Sequence, residues 1–508
     1  MKIKIVLFVI FYSLCCKGDA QLAGDLDSTF SFDGYTTSYY NPNGSFTDIA
    51  IQTDGKIVAT GHNGNNEMVT IRYNNDGSVD NTFGVSGIVT KYFGGFWTRY
   101  NEIQSDGKIV IGGTEYDGSN AYFSLLRYNT DGTVDSSFDF DGQASFLPGI
   151  VNNNLGDLKV QADGKILIAG ISANVTPYND MTILRINADG SVDSTFDSDG
   201  YAKKALTGFY PTIYSMAIQP DNKILISGAI ETGGLHKYII LRFNGDGSCD
   251  STFDTDGIVQ SALTADHFFR SIVLQSDGKI VAIGQIIGSG GKDFLLARFK
   301  TNGSLDSLFG VNGIQVTDFT FSDDYGYDVC VQSDNKIVAV GYSISSTSYF
   351  YGAVARYDSA GTLDANFGSF GEVTNLLGQF TAEYSCKIQT DGRIVAVGSQ
   401  IPMINNNQYF LVARYLAESQ VGIIQLENEQ NSSTYPNPFE KNIIIQIGGH
   451  PTNGIVSVID SYGKMVFSKM YEQEKEINLD LSMVQSGLYF IHIISNNGEA
   501  NVFKIIKQ

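Results

Sequence analysis

Several residue types and patterns are scarce in this chain of 508 residues. It contains only 9 Pro, 5 His, 5 Cys and 1 Trp. No long stretch repeats its apolar residues at the period of a helix, which argues against a helical domain. After residue 20, no segment is apolar for long enough to span a membrane. Basic residues are also in the minority, and the net charge of −21 argues against binding to nucleic acid or anionic lipid.

The cysteines indicate neither a disulfide framework nor a metal site. Two of the five lie in the first 20 residues, and the others, Cys249, Cys330 and Cys386, form an odd set without short spacing. Cys249 replaces an apolar residue of a repeated unit, which predicts a small core residue. Cys330 and Cys386 stand two and three residues before a repeated Gln, so they should point to opposite sheet faces. On the sequence alone, this argues against a disulfide between them.

Residues 1–20 are typical of a secretory signal peptide. A basic end precedes an apolar run at residues 5–14, and the small residues Gly18 and Ala20 permit cleavage after Ala20. A lipoprotein signal at one of the two Cys is the weaker alternative, because the small residue expected before a lipidated Cys is absent.

Gly (55 residues), Tyr (28) and Phe (32) are abundant, as is usual for short strands joined by tight turns. The motif Gln-x-Asp-(Gly/Asn)-(Lys/Arg) occurs seven times, at steps of 52 to 58 residues. Its copies begin at Gln52, Gln104, Gln161, Gln219, Gln275, Gln332 and Gln389. Each copy is accompanied by an Arg, usually followed by an aromatic residue, and by a unit of the type (Leu/Val)-Asp-x-x-Phe.

Each repeat predicts four short antiparallel strands. In the second repeat they are residues 87–93, 100–104, 108–113 and 123–128. The Asp-Gly pair between the second and third strands indicates a hairpin, because Gly accepts the positive φ of a tight primed turn. Seven such units predict an all-β fold with a seven-bladed β-propeller at residues 21–416.

The phase of the repeats predicts a closed ring. The unit Leu-Asp-Ser-Thr-Phe at residues 26–30 precedes the first Gln motif, and its counterpart is missing after Tyr415. The N-terminus therefore supplies the piece that the last repeat lacks. Phe30 should lie between the first and last blades, as Phe83 lies between the first and second. A closed ring also removes exposed sheet edges.

Residues 24–415 resemble the delta-60 repeat family, which forms β-propellers in secreted bacterial proteins. The resemblance rests on Gln-x-Asp-Gly-Lys-Ile-Val and on Arg-(Tyr/Phe)-x-x-x-Gly-(Ser/Thr)-x-Asp-x-x-Phe, which recur along the chain. It implies a propeller scaffold and no particular reaction, because the family has no general assigned activity.

The residues that recur in every repeat are interpreted as structural. A catalytic centre needs a few groups with different roles at one point, whereas Gln275, Lys279, Arg298 and Asp306 each have counterparts around the ring. Arg298 can donate two bonds to a carboxylate, and we expect Asp306, in the same blade or the next, to be a partner. No catalytic residue is predicted, because the sequence contains no Gly-x-Ser-x-Gly, His-Glu-x-x-His or phosphate-binding loop.

The acidic turns raise the question of calcium. Each turn offers two or three carboxylates, whereas Ca²⁺ takes about six to eight oxygen ligands. We therefore interpret these segments as Asx turns and predict no cofactor, with calcium as the weaker alternative. The acidic cluster of Asp323, Asp324 and Asp328 is interpreted as a solvated loop.

Two connections of each repeat vary in sequence, namely those between its first two strands and between its last two strands. In an up-and-down blade, both lie on one face of the disc, opposite the Asp-Gly hairpins. Variable loops on a rigid scaffold are common recognition sites, and aromatic rings offer surface for sugars or peptides. The alternative is that these rings only cover the blade ends. The candidate ligand-binding residues are Phe96, Trp97, Tyr210, Phe268, Phe269 and Tyr325.

The end of the chain shows a different pattern. Residues 417–433 form a polar connector, and residues 434–508 predict a small C-terminal β-sandwich. Its segments resemble, in order, the type A C-terminal sorting domain of the type IX secretion system. The matching segments are Tyr-Pro-Asn-Pro-Phe at 435–439, Asp-Ser-Tyr-Gly-Lys at 460–464, Ser-Gly-Leu-Tyr at 486–489 and the closing residues 504–508. The resemblance implies Sec export and recognition by the secretion machinery, with release or attachment at the cell surface.

Two functions remain open for this secreted or cell-surface protein. The favoured one is a binding module for an extracellular glycan or protein. The other is a carbohydrate-active hydrolase or lyase with its site in the central channel or on the varied face. An enzyme should bring acids, His, Tyr or Arg from several blades into one pocket.

Overall fold

The computed structural model contains two compact units, which divide after residue 421. It describes residues 21–40, 43–92, 99–173, 179–206, 208–288, 290–319, 323–403, 406–419, 433–446, 453–460, 465–495 and 500–508. The predicted signal peptide, Phe96, Trp97 and most of the predicted connector lie outside the described residues. The regular elements of the described residues are 35 strands, numbered in chain order. Among these residues, no helix has the length and apolar character needed to cross a bilayer.

The first unit is a ring of seven four-stranded antiparallel blades, which confirms the predicted fold. The innermost strands are β2 (Ser45–Ile51), β6 (Arg99–Ile103), β10 (Val151–Val160), β14 (Tyr210–Ile218), β18 (His267–Leu274), β22 (Asp323–Val331) and β26 (Phe380–Ile388). The second strands are β3 (Ile57–His62), β7 (Ile109–Tyr116), β11 (Ile166–Ala173), β15 (Ile224–Thr232), β19 (Ile280–Ile287), β23 (Ile337–Ile344) and β27 (Ile394–Ile401).

The outer half of each blade follows the same order. The third strands are β4 (Glu67–Tyr73), β8 (Ala121–Tyr128), β12 (Asn179–Ile186), β16 (Leu235–Phe243), β20 (Lys292–Phe299), β24 (Phe350–Tyr357) and β28 (Tyr409–Tyr415). The outermost strands are β5 (Ile88–Tyr92), β9 (Gln143–Phe146), β13 (Tyr201–Ala205), β17 (Ile258–Gln260), β21 (Ile314–Thr317), β25 (Glu372–Asn375) and, in the seventh blade, β1 (Tyr35–Ser38).

The blades are shifted by one strand relative to the sequence repeats. Residues 87–93 were expected in the second blade with residues 100–104, but β5, within this segment, pairs with β4 of the first blade. The sequence could not reveal this, because antiparallel alternation looks the same whichever strand begins the unit. As a result of this shift, β1 pairs with β28 and completes the seventh blade.

Ring closure uses the N-terminal unit at residues 26–30, as predicted. Leu26 forms a β-bridge with Tyr415 at the end of β28. Phe30 is fully buried and packs with Phe46 of the first blade and Phe410 of the seventh. The ring is therefore held shut by contacts between the two ends of the propeller sequence.

The repeated charged residues form one cluster per blade. In the first blade, Arg72 Nε donates to Asp80 Oδ2 at 2.7 Å, and Lys56 Nζ lies 3.0 Å from the same oxygen. The guanidinium carbon of Arg72 lies 4.7 Å from the centre of the Phe83 ring. Arg72 also donates through Nη1 to the carbonyl of Thr130 in the second blade. The motif residues thus join strands within a blade and anchor it to the next.

The same ion pair recurs around the whole ring. The pairs are Arg72–Asp80, Arg127–Asp135, Arg185–Asp193, Arg242–Asp250, Arg298–Asp306, Arg356–Asp364 and Arg414–Asp27. Arg298 and Asp306, the partners expected from the sequence, belong to one blade and lie 2.9 Å apart. The last pair, Arg414–Asp27, crosses the closure, and its members are 387 positions apart in the chain.

The second unit is a small β-sandwich. Its strands are β29 (Ser433–Tyr435), β30 (Asn442–Gln446), β31 (Asn453–Asp460), β32 (Met465–Glu472), β33 (Glu476–Asp480), β34 (Gly487–Ser495) and β35 (Ala500–Lys507). One sheet has the order β29-β30-β33 and the other β32-β31-β34-β35. Apolar residues of both sheets, such as Ile443 and Val456, share one core.

The two ends of the sandwich sequence are adjacent in space. The backbone N–H of Phe439 donates to the carbonyl of Ile506 at 2.9 Å. The side chain of Asn437 donates to the carbonyl of Lys504 at 2.7 Å. The first and last segments that resemble the sorting domain therefore form one continuous part of this unit.

A buried carboxyl group lies in the seventh blade. Glu383, in β26, is fully buried, and the hydroxyl of Tyr415 donates to it. Burial raises the pKa of Glu383 to about 8. The corresponding positions of other blades carry apolar residues, namely Phe46, Leu155, Ile213 and Phe269.

We expect Glu383→Gln to stabilise the propeller at neutral pH. The pKa of Glu383 is raised from 4.5 to about 8 on folding, so the folded protein keeps a proton that the unfolded chain releases. The free energy of unfolding therefore falls as the pH rises through this window. A neutral amide avoids the loss, which amounts to about 3 kcal/mol at neutral pH. Urea unfolding under mildly acidic and mildly alkaline conditions measures the effect.

The exposed Glu231 provides the matched control, because Glu231→Gln removes a carboxylate that folding does not bury. Its unfolding free energy should follow that of the natural protein under both conditions. An unchanged pH dependence in Glu383→Gln would contradict the assignment of a neutral, buried Glu383.

Candidate functional site

The innermost strands of all seven blades surround a central channel. It contains a cavity of about 780 Å³ that is lined by residues from every blade. Charged and aromatic residues in the lining include Asp48, Tyr100, Asp157, Lys159, Tyr214, Arg270, Tyr327, Asp328, Tyr384 and Lys387. This is the convergence that an enzyme requires, so the environment of each group has to decide between catalysis and binding.

β-Bulges place one set of these residues. In six of the innermost strands, the register with the second strand shifts by one residue, five positions before the repeated Gln. The extra residue of a bulge is released from regular pairing, and the bulge redirects its side chain. In four consecutive blades these residues are Tyr214, Arg270, Tyr327 and Tyr384, all of which line the cavity. Because the innermost strands start at the varied face, this set lies toward that face.

Aromatic side chains form two groups along this half of the channel. Tyr214 stacks on Phe268 with ring centres 5.5 Å apart. Tyr327 meets Tyr384 edge to face at 4.9 Å and lies 5.6 Å from Tyr342. We call these five residues the aromatic wall. It extends over the fourth to the seventh blade.

Arg270 joins the two halves of the aromatic wall. Its guanidinium carbon lies 4.3 Å from the centre of the Tyr327 ring, 5.1 Å from Phe268 and 5.7 Å from Tyr214. These cation–π contacts fix the guanidinium without using its N–H donors. Its Nε is buried, and no described residue accepts a hydrogen bond from it. Arg270 therefore lines the cavity with a guanidinium whose Nε is not used by the described residues.

Acidic residues in the channel hold the blades together. They stand four positions before the repeated Gln. Asp48 Oδ2 accepts a hydrogen bond from the backbone N–H of Asn101 in the next blade at 2.9 Å. Asp157 Oδ2 accepts one from Met216 at 2.6 Å, and Asp328 accepts one from the seventh blade at 2.9 Å. Each carboxylate thus links its innermost strand to the following one.

Serine residues add further hydrogen bonds to those of Asp48, Asp157 and Asp328, and we call this set of hydrogen bonds around the channel the belt. Ser385 Oγ contacts Asp48 Oδ1 at 3.0 Å across the ring closure and Asp328 Oδ2 at 2.9 Å. Ser271 Oγ donates to Asp328 Oδ1 at 2.6 Å. Burial raises the pKa of Asp48 to about 6. Because these carboxylates serve donors of the scaffold, we assign them to ring cohesion.

Two lysines lie deeper in the channel. Lys159 Nζ is paired, at 3.0 Å from Glu102 and 3.1 Å from Asp157. Burial alone would lower the pKa of Lys387, but the carboxylates of Asp328 and Asp48 outweigh it, and the pKa is raised. Both lysines are therefore charged at neutral pH.

The phenols of the channel are poorly suited to proton abstraction. Burial raises the pKa of Tyr100, Tyr214 and Tyr384 above the usual value for tyrosine. An efficient general base has a pKa near the working pH, which for a tyrosine requires a shift in the opposite direction. Among the described residues of the channel, no phenol has a lowered pKa, so none is suited to act as a general base.

The residues proposed from the sequence have different surroundings. Phe268 belongs to the aromatic wall, and Tyr325 stacks on Tyr342 of that wall at 4.7 Å. Tyr210, at the start of β14, is 55% exposed. Phe269 is fully buried and stacks on Tyr238 at 4.4 Å, so it packs inside the propeller. For Phe96 and Trp97, which lie outside the described residues, a binding role stays a prediction.

The sequence interpretation missed Tyr214, Arg270, Tyr327 and Tyr384. A signal for them exists at the fifth position before each repeated Gln. That position reads Thr47, Arg99, Gly156, Tyr214, Arg270, Tyr327 and Tyr384 along the chain. Apart from Gly156, this position is polar or aromatic, and it varies between blades, whereas the neighbouring inward positions are mostly apolar. Such variation is typical of a position that does not serve the scaffold.

The acidic turns form the hydrogen bonds expected of Asx turns. Asp76 Oδ1, for example, accepts from the backbone N–H of Ser78 at 3.0 Å. The predicted cluster of Asp323, Asp324 and Asp328 is dispersed, since Asp328 belongs to the belt. Asp324 is fully buried instead, and its carboxylate lies within 4.8 Å of those of Asp293 and Asp318.

Comparison with known families agrees with this architecture. No curated protein matches the chain. The repeats match the family described as "Domain of unknown function (DUF5122) beta-propeller" at residues 52–83, 104–138, 161–196, 219–253, 275–309, 332–367 and 389–421. Residues 433–508 match the secretion system C-terminal sorting domain. The chain thus belongs to the class of seven-bladed β-propellers. It is a DUF5122 propeller protein with a type IX secretion sorting domain, and this domain directs it to the cell surface or the extracellular space.

Solved structures match this chain at low sequence identity. Polysaccharide lyase Uly1 is 12% identical, with a TM-score of 0.44, over 78% of this chain and 98% of that one. The periplasmic gluconolactonase PpgL of Pseudomonas aeruginosa is 12% identical, with a TM-score of 0.41, over 75% and 96%. The extracellular domain of BT3049 from B. thetaiotaomicron is 11% identical, with a TM-score of 0.37, over 94% of this chain. This chain spans only 57% of the BT3049 domain.

Proposed function

We propose that this secreted propeller is a binding module that holds an acidic glycan in its central channel, against the aromatic wall. The single observation that carries the proposal is Arg270, whose guanidinium is held among three rings with its buried Nε unpaired. A guanidinium fork matches a carboxylate through two parallel hydrogen bonds. Uronic acids combine such a carboxylate with a sugar ring.

The surroundings of Arg270 suit a sugar. Aromatic rings offer flat, amphipathic surface on which the apolar face of a pyranose can stack. The cavity of about 780 Å³ lies within the range of roughly 300–1,000 Å³ that is usual for ligand pockets. A ligand of a few sugar units therefore fits the available space.

Binding is favoured over catalysis for physical reasons. Hydrolysis of a glycoside usually needs one carboxyl group as acid and another as base or nucleophile. In this channel, Asp48, Asp157 and Asp328 accept hydrogen bonds from neighbouring blades. Lyase chemistry needs a base, and burial raises the pKa values of the phenols. The convergence of Arg, Tyr and Asp favours a carbohydrate-active enzyme as the second candidate.

We expect Arg270→Gln to weaken the binding of uronate oligosaccharides at least tenfold, because a buried carboxylate loses its charged partner. Isothermal titration of the purified full chain with oligogalacturonate and other uronate oligosaccharides measures this. The matched ligands are the same oligosaccharides with their carboxyl groups reduced to alcohols. These neutral ligands should bind more weakly to the natural protein and respond little to the substitution.

Lys300→Gln is the matched control variant, because it removes one positive charge from an exposed turn on the opposite face. It should bind as the natural protein does. Equal losses for acidic and neutral ligands in Arg270→Gln would contradict a carboxylate contact. Release of unsaturated sugars or new reducing ends during incubation would favour the enzyme instead.

A further inference from the structure

Two buried thiols meet between the sixth and seventh blades. Cys330 lies in β22 and Cys386 in β26, and their sulfur atoms are 3.1 Å apart. Both side chains are buried. They share an apolar cluster with residues of the two blades, including Val338 and Ala396. The pair is remote in sequence, since its members are 56 positions apart.

Both thiols are free in this structure, as the sequence led us to expect, but their contact removes the reason given for that expectation. The two thiols do point to opposite faces of their own sheets, as their positions before the repeated Gln indicate. In a ring, however, the rear face of one blade packs against the front face of the next. Opposite faces of consecutive blades therefore form a shared interface. Cys330 and Cys386 differ by one position relative to the repeated Gln, and this difference places their sulfur atoms on the two faces that meet.

We propose that Cys330 and Cys386 form a disulfide in the exported protein. The sorting domain belongs to a chain that leaves the cytoplasm, and the bacterial periplasm favours disulfides. A covalent S–S bond is about 2.0 Å long, so the sulfur atoms need to approach by only about 1 Å. The bond would tie the sixth blade to the seventh, next to the interface where the ring closes.

The reaction requires an oxidant, which we assign to the class of periplasmic thiol–disulfide oxidoreductases. The thiolate of one cysteine attacks the disulfide of the oxidoreductase and forms a mixed disulfide. The second thiolate attacks the sulfur of the first cysteine, and the oxidoreductase leaves as a dithiol. Two electrons and two protons pass from the cysteine pair to the oxidoreductase.

The state of the folded interface indicates when the bond forms. Burial, together with the neighbouring Cys330 thiol, raises the pKa of the Cys386 thiol well above its usual value. Both thiols are also buried in the finished interface, where an oxidoreductase cannot reach them, so the finished interface resists oxidation. The exchange therefore belongs to the stage at which the blades are still assembling in the periplasm.

Mass spectrometry of the full chain, isolated after export, tests the proposal. The protein is unfolded without reductant, alkylated with iodoacetamide and digested. Cys249, which is half-buried and is not part of the buried pair, serves as the internal control. We expect alkylation at Cys249 only, and peptides containing Cys330 and Cys386 that stay joined until reduction. Alkylation of all three residues would overturn the proposal.

A second measurement concerns stability. Reductant should lower the Tm of the exported protein by roughly 5 °C, since a bond that closes a long loop restricts the unfolded chain. The same treatment should leave the Tm of a Cys330→Ala/Cys386→Ala double variant unchanged. Cys249→Ala should keep the full response to reductant, and an equal response in the double variant would contradict the assignment.

Discussion

Deletion of residues 434–508 is expected to leave a folded propeller that no longer reaches the cell surface. The sandwich has its own core and forms a separate compact unit. The end of the propeller segment is itself anchored to the ring, since Arg356 donates to the carbonyl of Ala417 and Ala23 N–H donates to Ser419 Oγ. The Tm of the ring should therefore remain within about 2 °C of its value in the full chain.

The export defect is measured in a host that carries a type IX secretion system, by cell fractionation and by digestion of surface proteins on intact cells. The surface signal should fall to background while the truncated protein accumulates inside the envelope. Met483→Ala is a suitable control, because this residue of the sandwich is 95% exposed and its truncation leaves the fold of the tail intact. A truncated ring that still reached the surface would contradict the assignment of export to the tail.

Substitution of Asp27 by Asn is expected to open the ring closure. Asp27 is fully buried and lies 2.8 Å from Arg414 Nε and 2.6 Å from Arg393 Nε. Removal of its charge leaves two cations without their anion, and breaking a buried pair costs about 3–5 kcal/mol. Since Asp27 belongs to the N-terminal segment and its partners to the seventh blade, the loss should release that segment.

Asp80→Asn is the matched control for this effect. Asp80 makes the same contacts with Arg72 and Lys56, but all three residues belong to the first blade. Both variants should lose stability in urea unfolding. Only Asp27→Asn should become sensitive to limited proteolysis within residues 21–40. Equal cleavage of this segment in the two variants would contradict a special role of Asp27 in closure.

The pH dependence of closure follows from the same contacts. Burial alone would raise the pKa of Asp27, but hydrogen bonds from Thr29 and the charges of Arg414 and Arg393 outweigh it, so the pKa is lowered from 3.8. Its contribution to stability is therefore present at neutral pH and is lost as the pH falls below 3.8. Glu383 acts in the opposite sense, because its raised pKa destabilises the fold as the pH rises.

Much of the architecture could be predicted because it depends on local signals repeated seven times. The Asp-Gly turns and the alternation of apolar residues specify short hairpins. The displaced unit at residues 26–30 specifies closure, since a ring needs equal numbers of each part. The assignment of strands to blades could not be predicted. The alternation of apolar residues shows that β5 is a strand, but it does not show that β5 pairs with β4 rather than with a strand of the next blade.

The candidate site could be predicted only in part, because local sequence signals do not show which residues from different blades meet. Phe268 and Tyr325 were proposed from the sequence because they lie in variable segments. Tyr327 and Arg270 were missed, because only bulges together with ring geometry bring them into one channel. The fourth to seventh blades each contribute one such residue, a full repeat away from the next, just as the two cysteines are separated by 56 positions.

The sequence by itself thus determined the number of blades, the route of closure and the presence of an export domain, because each follows from the order of residues along the chain. The tertiary structure alone decided which side chains face each other. The packing of the faces of consecutive blades decides whether Cys330 and Cys386 are distant or adjacent. It also decides whether Arg270 contacts an acid or an aromatic ring. That packing is a property of the closed ring and is absent from any single repeat.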